Sequence, residues 1–473
     1  MERGARMLSD TGIEENTLAI LDPTGIKDAK DDVDDRLAFL EAVRAASLAP
    51  DAGVAPTSKM CQAIFRILRE GKNLELCMAT YQLLMDINKR FPRVIAPNVD
   101  TTDSSSTPVD SELVVVNEAW SPFASGSDIP ARTRGASGEN DSRLIDSCNF
   151  HQLIERLVEE ADKSNIALKH FADMLLFDYL VDVLDGDFLP RWDSYKETAN
   201  WALVRDSLLN KLLSSRRINY KGFIKDCVTL ISTLQSLSTG DSRGDEDSEV
   251  TKPSRDCDAA VSLAFLEREK CTCLAVRKLL LMIMELDALK KSADTRLQTT
   301  RGDSVRTPAM EIILDELMYN TDALFHFLQV FDEPNWKLEL AVQYLRKYIA
   351  KPSVRTRRSQ ESADDGTLVG LLKTLSNHAT AKTVIRKIRS REVLGLLLAH
   401  AFQAYLSLSL GEKKQYAQGS DTSLELLGGS SREEVCKGVI SAFQSLKKAD
   451  ERAGALPIGK QALFTAAAIL SIK

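Results

Sequence analysis

Apolar positions along this chain recur at the three-and-four spacing of amphipathic helices, and the stretch from Arg306 to Arg358 shows the pattern most fully. Thr307 offers a capping hydroxyl, and Pro308 suits a first helical position, whose amide lacks an intrahelical partner anyway. Met310, Ile313, Leu314, Leu317 and Met318 then share one face, while Glu311, Asp315 and Glu316 point away from it. A second apolar run, Leu324 to Phe331, stops at Asp332-Glu333-Pro334. A third carries Trp336, Leu338, Leu340, Ala341, Tyr344, Leu345, Tyr348 and Ile349 and ends before Pro352. Three short-looped helices cannot hide their apolar faces alone and need neighbours, as in stacked-helix solenoids and bundles.

The same pattern recurs elsewhere. Residues 1–30 are charged and turn-prone and are expected to form a flexible N-terminal tail. An acidic run, Asp28 to Asp35, leads into a helix predicted over Val33 to Leu48; carboxylates suit the positive end of a helix dipole, and they also suit a basic partner. Thr57 or Ser58 can cap a second helix that Gly71 breaks, and a third covers Leu74 to Phe91. Residues 92–142 turn polar and read as a long loop, in which Trp120 and Phe123 form a candidate anchor seated in a nearby apolar groove. Helices are predicted over Leu144 to Ala161 and Ile166 to Leu184. Another restarts at Ser194, which has capping-box spacing to Glu197, and a further one runs from Tyr220 to Leu237.

The Ser/Asp/Glu/Gly-rich segment 239–256 reads as a disordered linker between an N-terminal helical half, 31–238, and a C-terminal half, 257–473. The second half opens on a long helix from Asp258 to Lys291 and carries polar loops at 292–305, 353–366 and 411–430. Between and after those loops lie Leu368 to Leu375, Thr383 to Ile388, Glu392 to Leu410, a helix opened by Ser431 and Glu434, and a last one introduced by Pro457. The fold expected is all-α, an irregular armadillo/HEAT-like helical solenoid of roughly fourteen to seventeen helices, without a fixed-period repeat.

Composition narrows the function classes. The 473 residues are 44% hydrophobic but 6% aromatic, which suits Leu- and Ala-rich helices better than sheets. Eight cysteines without a regular framework suit reduced thiols. No secretion signal is evident, and no uncharged apolar stretch is expected to reach the ~18 residues that span a membrane, so a soluble chain without membrane partners is expected. The five histidines are scattered, Cys271 and Cys273 fall on different helix faces, and Gly428-Gly429 lacks the Lys of a phosphate loop. No catalytic, cofactor-binding or metal-binding residue is assigned, and the chain reads as non-enzymatic, without a small-molecule substrate.

Charge says more. From Arg346 to Arg391 twelve Lys/Arg face three Asp/Glu, a local +9 in a chain of net charge −7, so the remainder sums to −16. The candidate basic patch is Lys351, Arg355, Arg357, Arg358, Lys382, Arg386, Lys387, Arg389 and Arg391, suited to DNA phosphates, nuclear import or an acidic protein surface; the plainer alternative is a charged loop and helix face balancing acidic neighbours. Leu-x-x-Leu-Leu occurs at Leu209, Leu368 and Leu394, where core packing explains it. Leu406, Leu408 and Leu410, alternating with serines, match a plant repression motif that recruits corepressors in extended form.

The wording of several segments is specific. Arg306-Thr-Pro-Ala-Met-Glu-Ile-Ile-Leu-Asp-Glu-Leu317, Phe331-Asp-Glu-Pro-Asn-Trp-Lys-Leu-Glu339 and Lys351-Pro-Ser-Val-Arg-Thr-Arg-Arg358 closely resemble the plant negative regulator of systemic acquired resistance family. Further likeness lies at Arg36 to Leu48, Gln62 to Arg69 and Glu118 to Phe123. The tail, Pro97 to Glu112, Ala124 to Asp141, Thr239 to Arg255 and Gly411 to Ser420 depart from it as polar insertions. The resemblance implies an armadillo-related nuclear protein that restrains defence-gene expression and acts in DNA damage repair and homologous recombination. It further implies association with SMC subunits of the SMC five/six complex, as a non-SMC element paired with another such element. The alternative is a transcriptional corepressor adaptor acting outside that complex.

Overall fold

A computed structural model describes residues 29–50, 53–95, 113–116, 119–124, 144–161, 167–239, 256–300, 306–349, 366–388, 391–411, 431–450 and 456–472, with isolated positions 17, 163 and 303. Seventeen helices and one two-stranded ribbon account for almost all of it, so the chain is all-α, as its periodicity predicts. The chain divides into two compact units, 1–309 and 310–473, and the sequence boundary between them falls in the first turn of a helix.

The first unit contains α1 (Ala29–Ser47), α2 (Ser58–Glu70), α3 (Leu74–Arg90), β1 (Val94–Ile95), β2 (Val114–Val115), α4 (Ser147–Ala161), α5 (Leu168–Thr198), α6 (Trp201–Arg205), α7 (Leu208–Leu213), α8 (Tyr220–Thr239) and α9 (Asp256–Thr295). Its axis is α5, which packs against α2, α3, α4, α6, α7 and α9 and is buried on nearly every side from Ala172 to Leu184. Phe177, Leu180 and Leu184 are fully buried there, each worth roughly 1.5–3 kcal/mol of transfer free energy. Sequence signals set the ends of the shorter helices. Thr57 accepts the Met60 N–H at 3.3 Å to open α2, and Asn73 accepts the Leu76 N–H at 3.0 Å to open α3. Between them Gly71 sits at φ 60° and donates its N–H back to the Ile67 carbonyl.

Several boundaries differ from those the sequence predicts, such as Ala29 for Val33 and His378 for Thr383, and three of the differences bear on packing. Helix α5 does not stop at Leu184. It continues through Pro190 to Thr198, Ser194 lies inside it, and the residue that caps α6 is Asn200, which accepts the Ala202 N–H at 3.1 Å. Asp187, 1% exposed, holds the extension: it accepts from Arg191 one turn on and from the Leu208 N–H at 2.7 Å, with Arg93 3.4 Å away. The division into compact units also falls later than 239–256. Residues 240–255 are outside the described residues, but α9 packs on α5 and α8, and Arg268 of α9 pairs with the buried Asp178 of α5, so α9 belongs to the first unit.

The third difference is at Thr307-Pro308. The next helix begins at Ala309, and its first N–H is accepted at 2.8 Å by Asp287 of α9, a carboxylate 22 positions earlier. Asp287 also receives Nε and Nη2 of Arg306 at 3.1 and 2.9 Å. The helix is thus capped by a tertiary contact.

The second unit holds α10 (Ala309–Tyr319, whose first residue falls in the other unit), α11 (Thr321–Val330), α12 (Pro334–Ile349), α13 (Leu368–Leu375), α14 (His378–Lys387), α15 (Arg391–Gly411), α16 (Arg432–Ala449) and α17 (Pro457–Ser471). Its most extensive contact joins α12 to α15, and α16 gathers α13, α14, α15 and α17. The expectation that no stretch is long and apolar enough to cross a membrane fails at Glu392–Leu410, a 19-residue segment that meets both criteria. In the fold 67% of it is buried, with Leu394, Leu397, Ala401 and Phe402 at the interior, so it is the central core helix of this unit.

Candidate functional site

The described ionisable groups are mostly disposed for structure. Burial pushes the Cys61 thiol up to about 12 and Cys273 up to about 11, which keeps both protonated and unreactive at neutral pH. His400, 8% exposed, is pushed down to about 4 by burial and by Lys337. His170 is also lowered, chiefly by burial.

Of the candidate basic patch, Lys382, Arg386 and Lys387 are described in full. All three are on the solvent face of α14, opposite the buried Ala381 and Val384. Asn377 fixes that face by capping α14 through the Ala379 and Thr380 N–H groups, at 2.9 and 3.3 Å. Lys387 reaches across to donate to the Tyr348 carbonyl in the last turn of α12 at 3.1 Å, so the C-terminal ends of α12 and α14 come together. Arg346 and Lys347 occupy the same last turn of α12, and both are exposed; Lys347 pairs with Asp315 at 2.5 Å. Each helix C-terminus carries roughly half a negative charge, which accounts for the placing of several of these cations. Lys382 and Arg386 have no ion-pair partner among the described residues and present their charge outward. Lys351, Arg355, Arg357, Arg358 and Arg389 lie outside the described residues. Arg391 opens α15, and its side chain is likewise outside them.

The other candidates are placed differently from one another. Trp120 meets Phe65 of α2 edge-on at 5.6 Å, and Phe123, 6% exposed, meets Phe150 of α4 at 5.9 Å. Phe123 also bridges to Ile145, and β1 pairs with β2 at Val94–Val115, so both ends of the described loop are pinned to the first unit. Leu406, Leu408 and Leu410 are all in the last turns of α15. Residues two apart on a helix cannot share a face. Ser409 there donates to the Leu406 carbonyl at 3.0 Å and accepts from Arg432 at 3.2 Å, so extended presentation of this motif requires those turns to melt.

The fold also assembles a group that the sequence reading does not assign. His151 of α4 lies one turn before Glu155, and Asp226 of α8 packs against them. His151 Nε2 is 2.7 Å from Asp226 Oδ2 and 3.7 Å from Glu155 Oε1. The His-x-x-x-Glu spacing is visible in the sequence; Asp226, 75 positions away, joins it only through the packing of α4 on α8.

Comparison with known proteins fits the whole chain. Residues 93–333 match the SNI1 middle domain and residues 349–473 the SNI1 C-terminal domain. The negative regulator of systemic acquired resistance SNI1 of Arabidopsis thaliana is 44% identical over 476 aligned residues, which cover 99% of this chain and 97% of that protein. No solved structure matches. With both domains present in order and the identity sustained from end to end, the chain belongs to the SNI1 family.

Proposed function

We propose that this chain is a non-enzymatic nuclear scaffold that restrains plant defence-gene expression as a subunit of an SMC five/six-type complex, with a part in DNA damage repair and homologous recombination. The observation that carries the reading is the match along the full chain to a protein named for negative regulation of systemic acquired resistance. The family resemblance supplies the SMC association. Physical support comes from stacked helices in both units and from outward cations on α14. In this reading apolar strips bind a companion non-SMC element, while Lys382, Arg386 and Lys387, with the neighbouring segment through Arg355, Arg357, Arg358, Arg389 and Arg391, face DNA or an SMC arm.

Charge reversal tests the second part. Lys382→Glu, Arg386→Glu and Lys387→Glu together should weaken DNA or complex association and flatten its salt dependence, by roughly 0.9 in log–log slope for each phosphate that is no longer neutralised. Unchanged binding across a salt titration overturns it. Affinity purification of the full chain from plant nuclei tests the first part: recovery of SMC subunits with a companion element supports it. Recovery of corepressors alone favours the adaptor reading, which needs the α15 terminus to unwind.

A further inference from the structure

We propose that His151, Glu155 and Asp226 form a site for a first-row divalent cation, zinc by preference, that clamps α4 to α8. Their ligand atoms, one nitrogen and two carboxylate oxygens, all lie within 4.8 Å of one another. His151 and Glu155 stand at i and i+4, the spacing that lets one helix face offer two ligands to one ion. Asp226 comes from the neighbouring helix, so the three ligands approach from two directions.

The imidazole is held for this work. His151 is 8% exposed and packs edge-on against Phe223 at 5.7 Å, which turns Nε2 toward both carboxylates. The carboxylates are the more exposed partners: the Glu155 side chain is 49% exposed and that of Asp226 is 32% exposed. Tetrahedral zinc with bonds near 2.0–2.1 Å sets its ligands about 3.4 Å apart. Reaching that from 2.7 and 3.7 Å needs Asp226 to draw back and Glu155 to close in, both within side-chain rotation. A water would complete the fourth position. One nitrogen with two oxygens suits zinc better than copper(I), which prefers sulfur, or calcium, which takes six to eight oxygens.

The test uses the full-length protein stripped with a chelator and titrated with Zn2+ in competition with a chromogenic chelator, with Co2+ as the spectroscopic substitute. One equivalent of Zn2+ should bind and raise the thermal midpoint, and Co2+ should give the visible bands of a tetrahedral site without a thiolate charge-transfer band. Glu155→Gln, at a half-exposed position, and Asp226→Asn, which keeps the side-chain shape, should each leave the apo midpoint close to its starting value. Each should lower Zn2+ affinity by at least ~100-fold, the upper end of what a lost outer-shell partner costs. Failure to bind one equivalent overturns the proposal and leaves a plain His151–Asp226 hydrogen bond. Binding that survives both substitutions also overturns it, since the cysteines then hold the metal.

Discussion

Asp287→Ala is the most informative single perturbation of the first unit. The carboxylate accepts four hydrogen bonds: Arg306 Nε and Nη2 on one oxygen, and the Ala309 N–H and Tyr220 hydroxyl on the other, the last at 3.3 Å. The two charged side chains are 11% and 13% exposed, so solvent screens the pair weakly. Arg306 also lies 4.7 Å over the Tyr220 ring, and burial raises the Tyr220 pKa so that its hydroxyl remains a donor. Removing the carboxylate strands a buried guanidinium, which costs about 3–5 kcal/mol, and uncaps α10 for a further ~1 kcal/mol. At about 2 °C per kcal/mol for a unit this large, the midpoint should fall by roughly 8–12 °C in calorimetry. Replacing both ends with apolar groups, Asp287→Leu with Arg306→Met, removes the stranded charge and should recover most of the loss except the cap. A single-variant loss below about 1 kcal/mol, or a double variant no more stable than the single one, would refute the reasoning.

Two further outcomes follow from local geometry. In Gly71→Ala the new methyl meets the Ala172 Cβ at 2.8 Å, and φ stays positive; strain plus overpacking should cost about 2–4 kcal/mol in urea denaturation, with the overpacking part regained in Gly71→Ala/Ala172→Gly. His400 is neutral in the folded state down to about 4, while an unfolded histidine binds its proton near 6.5. Between those values the unfolded state holds the extra proton, so stability is full above pH 6.5 and falls with pH. The loss should be about 2 kcal/mol between pH 7 and pH 5, and should be absent in His400→Gln; an unchanged acid dependence in that variant counts against it.

Local signals made much of the helical architecture legible. Thr57, Gly71, Ser431 and Pro457 end or begin helices where their chemistry predicts, because capping and backbone preference act within one turn. Helix α5 runs past its predicted end because Asp185-Gly186-Asp187 and Pro190 only imitate a loop, and Asp187 is held by Arg191 one turn on together with Arg93 and the Leu208 N–H, which the fold brings in. Pro308 misled in the same way, since the cap for Ala309 comes from Asp287. Among the candidate sites, Lys382, Arg386 and Lys387 were legible as exposed cations by helical period. The convergence of two helix C-termini beneath them was not, because it depends on how α12 meets α14.

These cases share one cause. Leu-rich faces attract one another without choosing a register, since sliding one helix by a turn exchanges one Leu for another at small cost. The charged residues inside the first unit do choose: Arg156 pairs with Asp173, Arg268 with Asp178, Arg93 and Arg191 with Asp187, Arg306 with Asp287, and Arg36 with Glu70 at 2.7 Å. Such a pair adds little over a well-packed apolar replacement, but a misaligned helix leaves a largely buried carboxylate alone, at several kcal/mol. Five carboxylates therefore select, among many greasy alternatives, which helix lies beside which. The end of α5 and the start of α10, which local reading misplaces, are ends that such pairs set.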